Sequence, residues 1–198
     1  MYSQSIDKLI AELKKLPSVG QHTAERYVFH YLTRGKREVA DLILSLNGLI
    51  NNVKSCEVCW DFTDTSPCRI CSDPKRDQSV LCVVADSQSV VALQKTGAFI
   101  GRYHVLRGVL DGSDPESFRR IKLKELFNRS VKDKNLKEII LALNPDLSGE
   151  TTMLYLEKEL RTKNPTIKIV RLARGLPSGS DLQYADEITL ESALKNRR

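Results

Sequence analysis

Four cysteines are the residues of this chain most able to do chemistry. They form two CxxC pairs separated by eight residues, and they are Cys56, Cys59, Cys68 and Cys71. Each CxxC turn places two thiolate sulfurs on one side of a tight loop, and two such turns can close a tetrahedral cage around one zinc ion. The segment has too few large apolar side chains for a core of its own. The spacing therefore predicts one structural zinc ion, whose binding contributes on the order of 10 kcal/mol to folding.

Disulfide bonds and a redox-active CxxC are the alternatives to zinc. Disulfides require an oxidising compartment, but residues 1–13 are polar and amphipathic and lack the apolar core of a secretion signal. A redox CxxC normally follows a strand and opens a helix, whereas these pairs lie in a polar stretch rich in Asp and Ser. We therefore expect a reducing, cytoplasmic location. The fifth cysteine, Cys82, has apolar neighbours on both sides and is expected to be a small buried core residue.

The length of the chain leaves room for more than one module, and its charge is compatible with a polyanion partner. Its 198 residues, 41% of them hydrophobic, suffice for one ordinary domain plus small appended modules. No apolar run approaches the roughly 20 residues of a membrane helix, so no membrane partner is expected. The net charge is +6, and residues 119–137 carry eight basic and two acidic side chains. Clustered Lys and Arg neutralise phosphates, although a basic helix face is more often simply solvated.

Hydrophobic periodicity divides the chain into a helical part and an α/β part. Apolar residues recur at helical spacing in three runs, 6–16, 24–32 and 39–53. Pro17 ends the first run. After the cysteines, apolar runs of strand length lie at 80–85, 103–106, 139–143 and 167–172. Helical stretches lie between them at 89–95, 117–127 and 151–163. Strands buried on both faces that alternate with helices predict a parallel α/β sheet.

The turn between the first two helices is typical of a helix-hairpin-helix, a motif that binds nucleic acid backbone. It reads Leu16-Pro17-Ser18-Val19-Gly20. Gly20 permits a tight bend with its amide uncovered, so that free N–H groups at the start of the next helix face a phosphate oxygen, and Arg26 adds a bidentate contact. A helical hairpin that only packs or dimerises is the alternative. The predicted DNA-binding residues are Ser18, Gly20, Gln21, His22 and Arg26.

Taken together, these modules resemble the RecR family of bacterial recombination proteins over essentially the full length. The resemblance rests on motifs at residues 16–26, 56–74, 97–103, 141–150 and 173–187. It implies a multi-module α/β protein with a helix-hairpin-helix domain at 1–54, a zinc finger at 55–76, a Toprim-like domain at 79–174 and a C-terminal segment at 175–198. It also implies a homodimer or ring-shaped homotetramer that encircles DNA. In that role the family acts with RecO and RecF to help load recombinase onto single strands coated with single-strand-binding protein.

Two residues of the hairpin depart from the pattern of the family. Ser18 stands where the family usually has glycine, and His22 stands where it has lysine. An exposed histidine is mostly neutral at pH 7, so the hairpin lacks one permanent charge. We expect its DNA affinity to rise as the pH falls from about 7.5 toward 6.

The resemblance to Toprim enzymes indicates which residues a catalytic site would need. Those enzymes carry a glutamate after the first strand as general acid or base, and a DxD pair after a later strand to hold magnesium. Here the first position is Ala85, and the later pair reads Asn144-Pro145-Asp146. Asp86 and Asp146 remain, and they could hold a hydrated cation only weakly. We therefore expect no catalytic residue and no enzymatic activity.

The remaining candidate is a partner site at the carboxyl ends of the strands, where α/β sheets commonly bind ligands. By the resemblance, Glu150 falls where the family contacts RecO through an acidic side chain, with Asp146 close by in the sequence. The alternative for Glu150 is an acid favoured by the positive end of a helix. The expected function is a non-catalytic, nucleoid-associated DNA clamp that does not read sequence. A magnesium-dependent Toprim nuclease and a zinc-held protein-interaction adaptor stay open.

Overall fold

The computed structural model describes residues 2–173, 175–176 and 179–197. The chain divides into two compact units, Met1–Val53 and Lys54–Arg198. Arg174 and Pro177, which belong to a motif quoted above, lie outside the described residues, as do the first and last residues of the chain. Within those described ranges, no helix has both the length and the apolar character needed to cross a membrane.

The first unit consists of three helices around a small core. They are α1 (Gln4–Leu13), α2 (Gln21–Arg34) and α3 (Lys36–Asn52). The buried residues of the core are Ile10, Ala24 and Val28. No residue of α3 is buried, and the side chains of Leu44 and Ile50 are 69% and 76% exposed. The predicted third helix therefore exists, but its apolar stripe is uncovered in the described chain.

Helix α1 ends at Leu13, earlier than the predicted stop at Pro17. The chain changes there to tight turns, because the N–H of Leu16 donates to the carbonyl of Leu13 (3.1 Å) and the N–H of Val19 donates to the carbonyl of Leu16 (3.2 Å). These turns carry the chain from the end of α1 to the start of α2 at Gln21.

The second unit begins with the cysteine segment. Its strands β1 (Lys54–Ser55) and β2 (Phe62–Thr63) pair antiparallel. A short helix, α4 (Arg69–Ser72), contains Cys71. The segment then leads directly into the sheet of the α/β domain.

Four parallel strands form that sheet, in the order β4-β3-β5-β6. They are β3 (Asp77–Val84), β4 (Gly101–Val105), β5 (Glu138–Ala142) and β6 (Lys168–Arg171). On β3, Leu81 and Val83 belong to one apolar cluster, while Cys82 and Val84 belong to another. Successive side chains of a strand point to opposite faces, so this strand is buried on both sides. The prediction of a parallel α/β fold is confirmed.

Helices connect and cover the strands. They are α5 (Ser87–Lys95), α6 (Ser117–Arg120), α7 (Leu123–Lys132), α8 (Leu147–Lys163) and α9 (Glu187–Lys195). The prediction of one helix at 117–127 is wrong, because the backbone of Lys122 is tied to the end of β4. Its N–H donates to the carbonyl of Leu106 (2.7 Å), and its carbonyl accepts a hydrogen bond from Nε2 of His104 (2.9 Å).

Candidate metal centre and nucleic-acid interface

The sulfur atoms of the two CxxC pairs converge on one point. All four lie within 4.8 Å of one another, and the Sγ atoms of Cys59 and Cys68 are 3.6 Å apart. A tetrahedral zinc ion with Zn–S bonds of about 2.3 Å places its sulfurs about 3.8 Å apart, so the cage has the size that zinc requires. Cys56, Cys59 and Cys68 are buried and Cys71 is partly buried. The residues present therefore fit a closed structural site.

Backbone hydrogen bonds between residues four apart in the chain form the two turns of this cage. The N–H of Trp60 donates to the carbonyl of Cys56 (3.0 Å), and the N–H of Ser72 donates to the carbonyl of Cys68 (3.0 Å). The N–H of Cys68 also donates to Sγ of Cys56 (3.3 Å), which holds the second pair against the first. Each pair thus presents both sulfurs on one side of its loop, as the spacing predicts.

The thiols of the cage are close enough to form hydrogen bonds with one another. The hydrogen bond with Cys68, then the hydrogen bond with Cys71 and burial, raise the pKa of Cys59 above that of an ordinary thiol. A bound zinc ion overcomes the raised pKa of Cys59, because a metal ion deprotonates the thiols that it binds. The prediction of one structural zinc ion, held by these four cysteines, is confirmed. Cys82 lies apart in the core, where burial raises the pKa of its thiol to about 12.

The cysteine segment is bonded to the end of β4 in ways that the sequence did not indicate. The N–H of Val105 donates to the carbonyl of Cys59 (2.8 Å). Arg107 donates from Nε to the carbonyl of Trp60 and from Nη2 to Oγ of Ser55, both at 2.8 Å. Because these partners are 46 to 52 positions apart in the chain, no local pattern could reveal them. The zinc site is therefore part of the α/β unit.

The hairpin of the first unit bends at Ser18 and not at Gly20. Ser18 has a φ of 61°, in the left-handed region that favours glycine, whereas Gly20 is extended with φ −85° and ψ 178°. The expectation that Gly20 supplies the tight bend is wrong, since its backbone is one that any residue adopts. A signal was present in the sequence, because the family usually has glycine where Ser18 stands.

The start of α2 is nevertheless open. Gly20 occupies the N-cap position without a side-chain cap, and a Cβ placed there would meet nothing within 4 Å. The first intrahelical bond runs from the N–H of Ala24 to the carbonyl of Gly20 (3.0 Å). The N–H groups of residues 21–23 thus precede the hydrogen-bond ladder of the helix and point out of its positive end. This geometry suits a phosphate oxygen.

Gln21 and His22 both contact the carboxylate of Glu25, which was not among the predicted DNA-binding residues. Nε2 of Gln21 donates to Oε1 of Glu25 (2.6 Å), and Nδ1 of His22 lies 3.7 Å from Oε2 of the same carboxylate. His22 is 98% exposed, and Arg26 is also exposed. The spacing of three and four residues on one helix face could have revealed Glu25. Its negative charge opposes a phosphate at this end of α2.

The two carboxylates left from the Toprim pattern act as helix caps. Oδ1 of Asp86 accepts the N–H of Ser89 at the start of α5, and Oδ1 of Asp146 accepts the N–H of Gly149 at the start of α8, both at 2.7 Å. In the part of the chain that the structure describes, the cysteine cage is the only group of three or more His, Cys, Asp or Glu side chains placed to hold a metal ion.

Glu150 lies in an ion-pair network on α8. Nη1 of Arg171 donates to Oε2 of Glu150 (2.9 Å), and its Nε donates to Oε1 of Glu157 (2.7 Å). A glycine precedes Glu150 because a Cβ at Gly149 would lie 2.0 Å from the carbonyl oxygen of Asn144. This close approach fixes where α8 begins, and with it the position of Glu150 beside β6.

A mainly apolar cleft of about 710 Å³ opens near the carboxyl ends of β5 and β6. Ala142 and Asn144 line it on the side of β5, Arg171 on the side of β6, and Ile188 on the side of α9. Its place follows the rule that parallel sheets bind ligands outside the carboxyl ends of their strands.

The chain matches four family profiles in succession. They are described as the helix-hairpin-helix of RecR (residues 6–49), the four-cysteine zinc finger domain of RecR (53–73), a Toprim domain (79–173) and the C-terminal part of RecR (175–198). The first three fall on the three-helix unit, the cysteine cage and the parallel sheet. The order of modules is therefore that of a RecR protein.

Curated relatives match over the whole chain. A protein named "Recombination protein RecR" from Moorella thermoacetica is 45% identical, over 99% of this chain and 97% of the relative. Proteins of the same name from Synechocystis and Anaeromyxobacter are 44% and 41% identical, over 100% and 98% of this chain and 84% and 96% of the relatives. With full-length identity at this level and a zinc cage in the expected place, the chain belongs to the RecR family of recombination proteins.

Proposed function

We propose that the chain is a non-catalytic DNA clamp of recombinational repair. It acts with RecO and RecF in the cytoplasm, at the nucleoid, to help load recombinase onto DNA. The observation that carries this proposal is the open start of α2, within a chain whose full-length relatives are named recombination proteins. The proposed parts are a DNA-binding domain at 1–54, a zinc finger at 55–76, a Toprim-like domain at 79–174 and a C-terminal segment at 175–198.

In this proposal the hairpin holds the phosphate backbone. The N–H groups at the start of α2 bind one phosphate oxygen, with Ser18, Gly20 and Gln21 beside it. Arg26 supplies a permanent charge, and His22 supplies a charge only when protonated. Contacts to phosphate carry no sequence information, so binding of this kind is independent of sequence and strongly dependent on salt.

Encircling DNA requires more than one copy of the chain. The uncovered apolar stripe of α3, with Leu44 and Ile50 largely exposed, supports assembly, because contiguous exposed apolar surface commonly marks an interface. A homodimer or homotetramer with closed symmetry would bury it.

The absence of catalysis in this proposal is supported by the roles of two acids. Asp86 and Asp146 each accept a backbone N–H at a helix start, and the position after β3 is Ala85. Phosphodiester cleavage by a Toprim site needs a general base and a carboxylate cluster for magnesium. The same end of the sheet is proposed as the partner site, where Glu150 and Asp146 contact RecO.

The proposal can be tested with the full-length protein and gapped duplexes of unrelated sequence. Fluorescence anisotropy at several salt concentrations should give one affinity for all sequences, with a steep negative dependence on salt. Arg26→Gln should weaken binding severalfold, whereas Arg37→Gln, an equal loss of charge from exposed α3, should have a smaller effect. The same duplexes incubated with magnesium should stay intact. Cleavage that Asp146→Ala abolishes would indicate the nuclease, and the absence of salt-sensitive binding would indicate the adaptor.

A further inference from the structure

A partly buried arginine of α7, Arg129, contacts the first CxxC turn. Nη1 of Arg129 donates to the carbonyl of Val58, which lies between Cys56 and Cys59, at 3.2 Å, and to the carbonyl of Tyr103 on β4 at 2.8 Å. The guanidinium thus touches both the metal-binding loop and the sheet on which the loop rests.

The guanidinium of Arg129 makes no direct ion pair with a carboxylate among the described residues. It forms none of the ion pairs that the structure contains there, and its Nη2 atom is buried without a hydrogen-bond acceptor. The two acids four residues away in sequence have other partners: Asp133 is bound by Nη2 of Arg102 at 2.5 Å, and Glu125 by Nζ of Lys122 at 3.2 Å. A guanidinium that is shielded from solvent and forms no ion pair is costly, so further negative charge close to it is stabilising.

The cysteine cage supplies that charge. Burial and then the charge of Arg102 lower the pKa of Arg129, while the negative charges of Cys71, Cys59 and Asp133 act in the opposite direction. Four thiolates around one divalent zinc ion leave about two net negative charges in a site that is largely closed to solvent. The cage therefore needs a cation as much as the guanidinium needs an anion.

We propose that Arg129 is the charge partner of the zinc–tetrathiolate centre and that its guanidinium strengthens zinc binding by this chain. The residue acts on the metal from outside the ligand set, through the field at the sulfurs and through its hold on the Val58 carbonyl. Partners of this kind commonly change metal affinity by tenfold or more.

Arg107 provides a matched control. Like Arg129 it makes two hydrogen bonds, and both of them go to the cysteine segment, to Trp60 and Ser55. Its guanidinium lies 4.0 Å from the centre of the Phe62 ring, and Phe62 is 58% exposed. Replacement of Arg107 therefore removes the same number of bonds and the same charge, but at the solvent-facing side of the segment.

The test is zinc affinity, measured on full-length variants by competition with a chromophoric chelator. Arg129→Gln should weaken zinc binding at least tenfold, whereas Arg129→Lys, which keeps the charge, and Arg107→Gln should each change it less than threefold. Equal losses in Arg129→Gln and Arg107→Gln, or in Arg129→Gln and Arg129→Lys, would overturn the proposal, because docking alone would then explain them. If Arg129→Gln does not fold, Arg129→Met keeps the aliphatic stem and serves as the neutral variant.

Cobalt substitution gives a second readout that a purely structural role would not move. A nearby positive charge stabilises the sulfur electrons, so its loss should shift the sulfur-to-cobalt charge-transfer band to lower energy. We expect this shift in the neutral Arg129 variant and not in Arg107→Gln. A band that stays in place in the neutral variant would contradict a charge role for Arg129.

Discussion

Glu150 and Arg171 form an ion pair, with 2.9 Å between Oε2 and Nη1. Both side chains are less than a third exposed, and Arg171 also binds Glu157 at 2.7 Å. The hydrogen bond to Glu157 is the main cause that raises the pKa of Arg171, with Glu150 contributing. A partner that uses Glu150 must therefore meet it as one member of a network, which makes a neutral substitution a cleaner test than a charge reversal.

Glu150→Gln should weaken RecO binding at least tenfold if the proposed partner role is right, because it removes the charge and keeps the shape. Stability should change by no more than about 1 kcal/mol, as for other partly exposed ion pairs. Glu157→Gln removes the second acid of the same network and should leave partner affinity within threefold. Surface plasmon resonance with immobilised RecO measures both. The same loss in the two variants would point to the network as a whole and away from a contact by Glu150.

Ser18→Gly should stabilise the hairpin by about 0.5–1 kcal/mol. Ser18 has a φ of 61°, where a residue with a Cβ carries a steric cost that glycine avoids, although glycine loses more entropy on folding. Urea unfolding of the full chain, followed by tyrosine fluorescence and amide exchange in residues 4–34, measures the change. Gly20→Ser is the reciprocal control and should have little effect, because Gly20 has an extended backbone and open space around it. An unchanged Ser18→Gly variant would contradict the prediction, because the left-handed backbone at Ser18 would then carry no steric cost.

His22→Lys should raise DNA affinity at pH 7.5 and steepen its dependence on salt. A permanent charge at this exposed position neutralises one more phosphate, which makes the slope of log affinity against log salt more negative by about 0.9. Glu25, at 3.7 Å, and Arg26 are the charged neighbours that moderate the effect. His30→Lys makes the same change on an exposed position farther along α2. Equal effects of the two substitutions in anisotropy titrations would mean that net charge, and not the start of α2, determines binding.

Acid should destabilise the protein partly through His104. Burial, assisted by the charge of Arg129, lowers the pKa of this histidine to about 3, from 6.5 in an exposed chain. Between these values the unfolded state binds a proton that the folded state does not, so stability falls as the pH drops below about 6.5, by up to about 1.4 kcal/mol per pH unit. His104→Gln should remove this share of the slope, while exposed His30→Gln should keep it.

Urea midpoints for these two histidine variants and the wild type, measured between pH 7 and 5, test this origin of the acid sensitivity. Protonation of the zinc thiolates acts on all three proteins alike, so the difference in slope isolates His104. Parallel curves for wild type and His104→Gln would assign the acid sensitivity to other groups.

The zinc cage and the parallel sheet could be predicted because their signals are local. Two CxxC turns carry their geometry within four residues each, and a strand buried on both faces, such as β3, reads as an unbroken apolar run. The module order was predictable for the same reason, since each motif lies within a short stretch of sequence.

The features that the sequence did not reveal depend on partners far along the chain. The break between α6 and α7 follows from bonds that hold Lys122 to Leu106 and His104. Helical periodicity alone continues across that point. Similarly, nothing in the sequence around Arg107 and Arg129 distinguishes them from other charged residues. Their hydrogen bonds to the cysteine segment depend on the folded position of β4.

The hydrogen bonds around β4 bear on whether the protein aggregates when it loses zinc. This strand lies at one side of the sheet, and three of its backbone groups are bonded to residues outside the sheet: the N–H of Val105 to Cys59, the carbonyl of Tyr103 to Arg129, and the carbonyl of Gly101 to Arg76. Unpaired groups along an outermost strand recruit strands from other molecules. Loss of zinc would release Cys59 and its loop and would expose these backbone groups of β4 to solvent. Metal depletion should therefore promote aggregation through β4, even while the rest of the sheet remains folded.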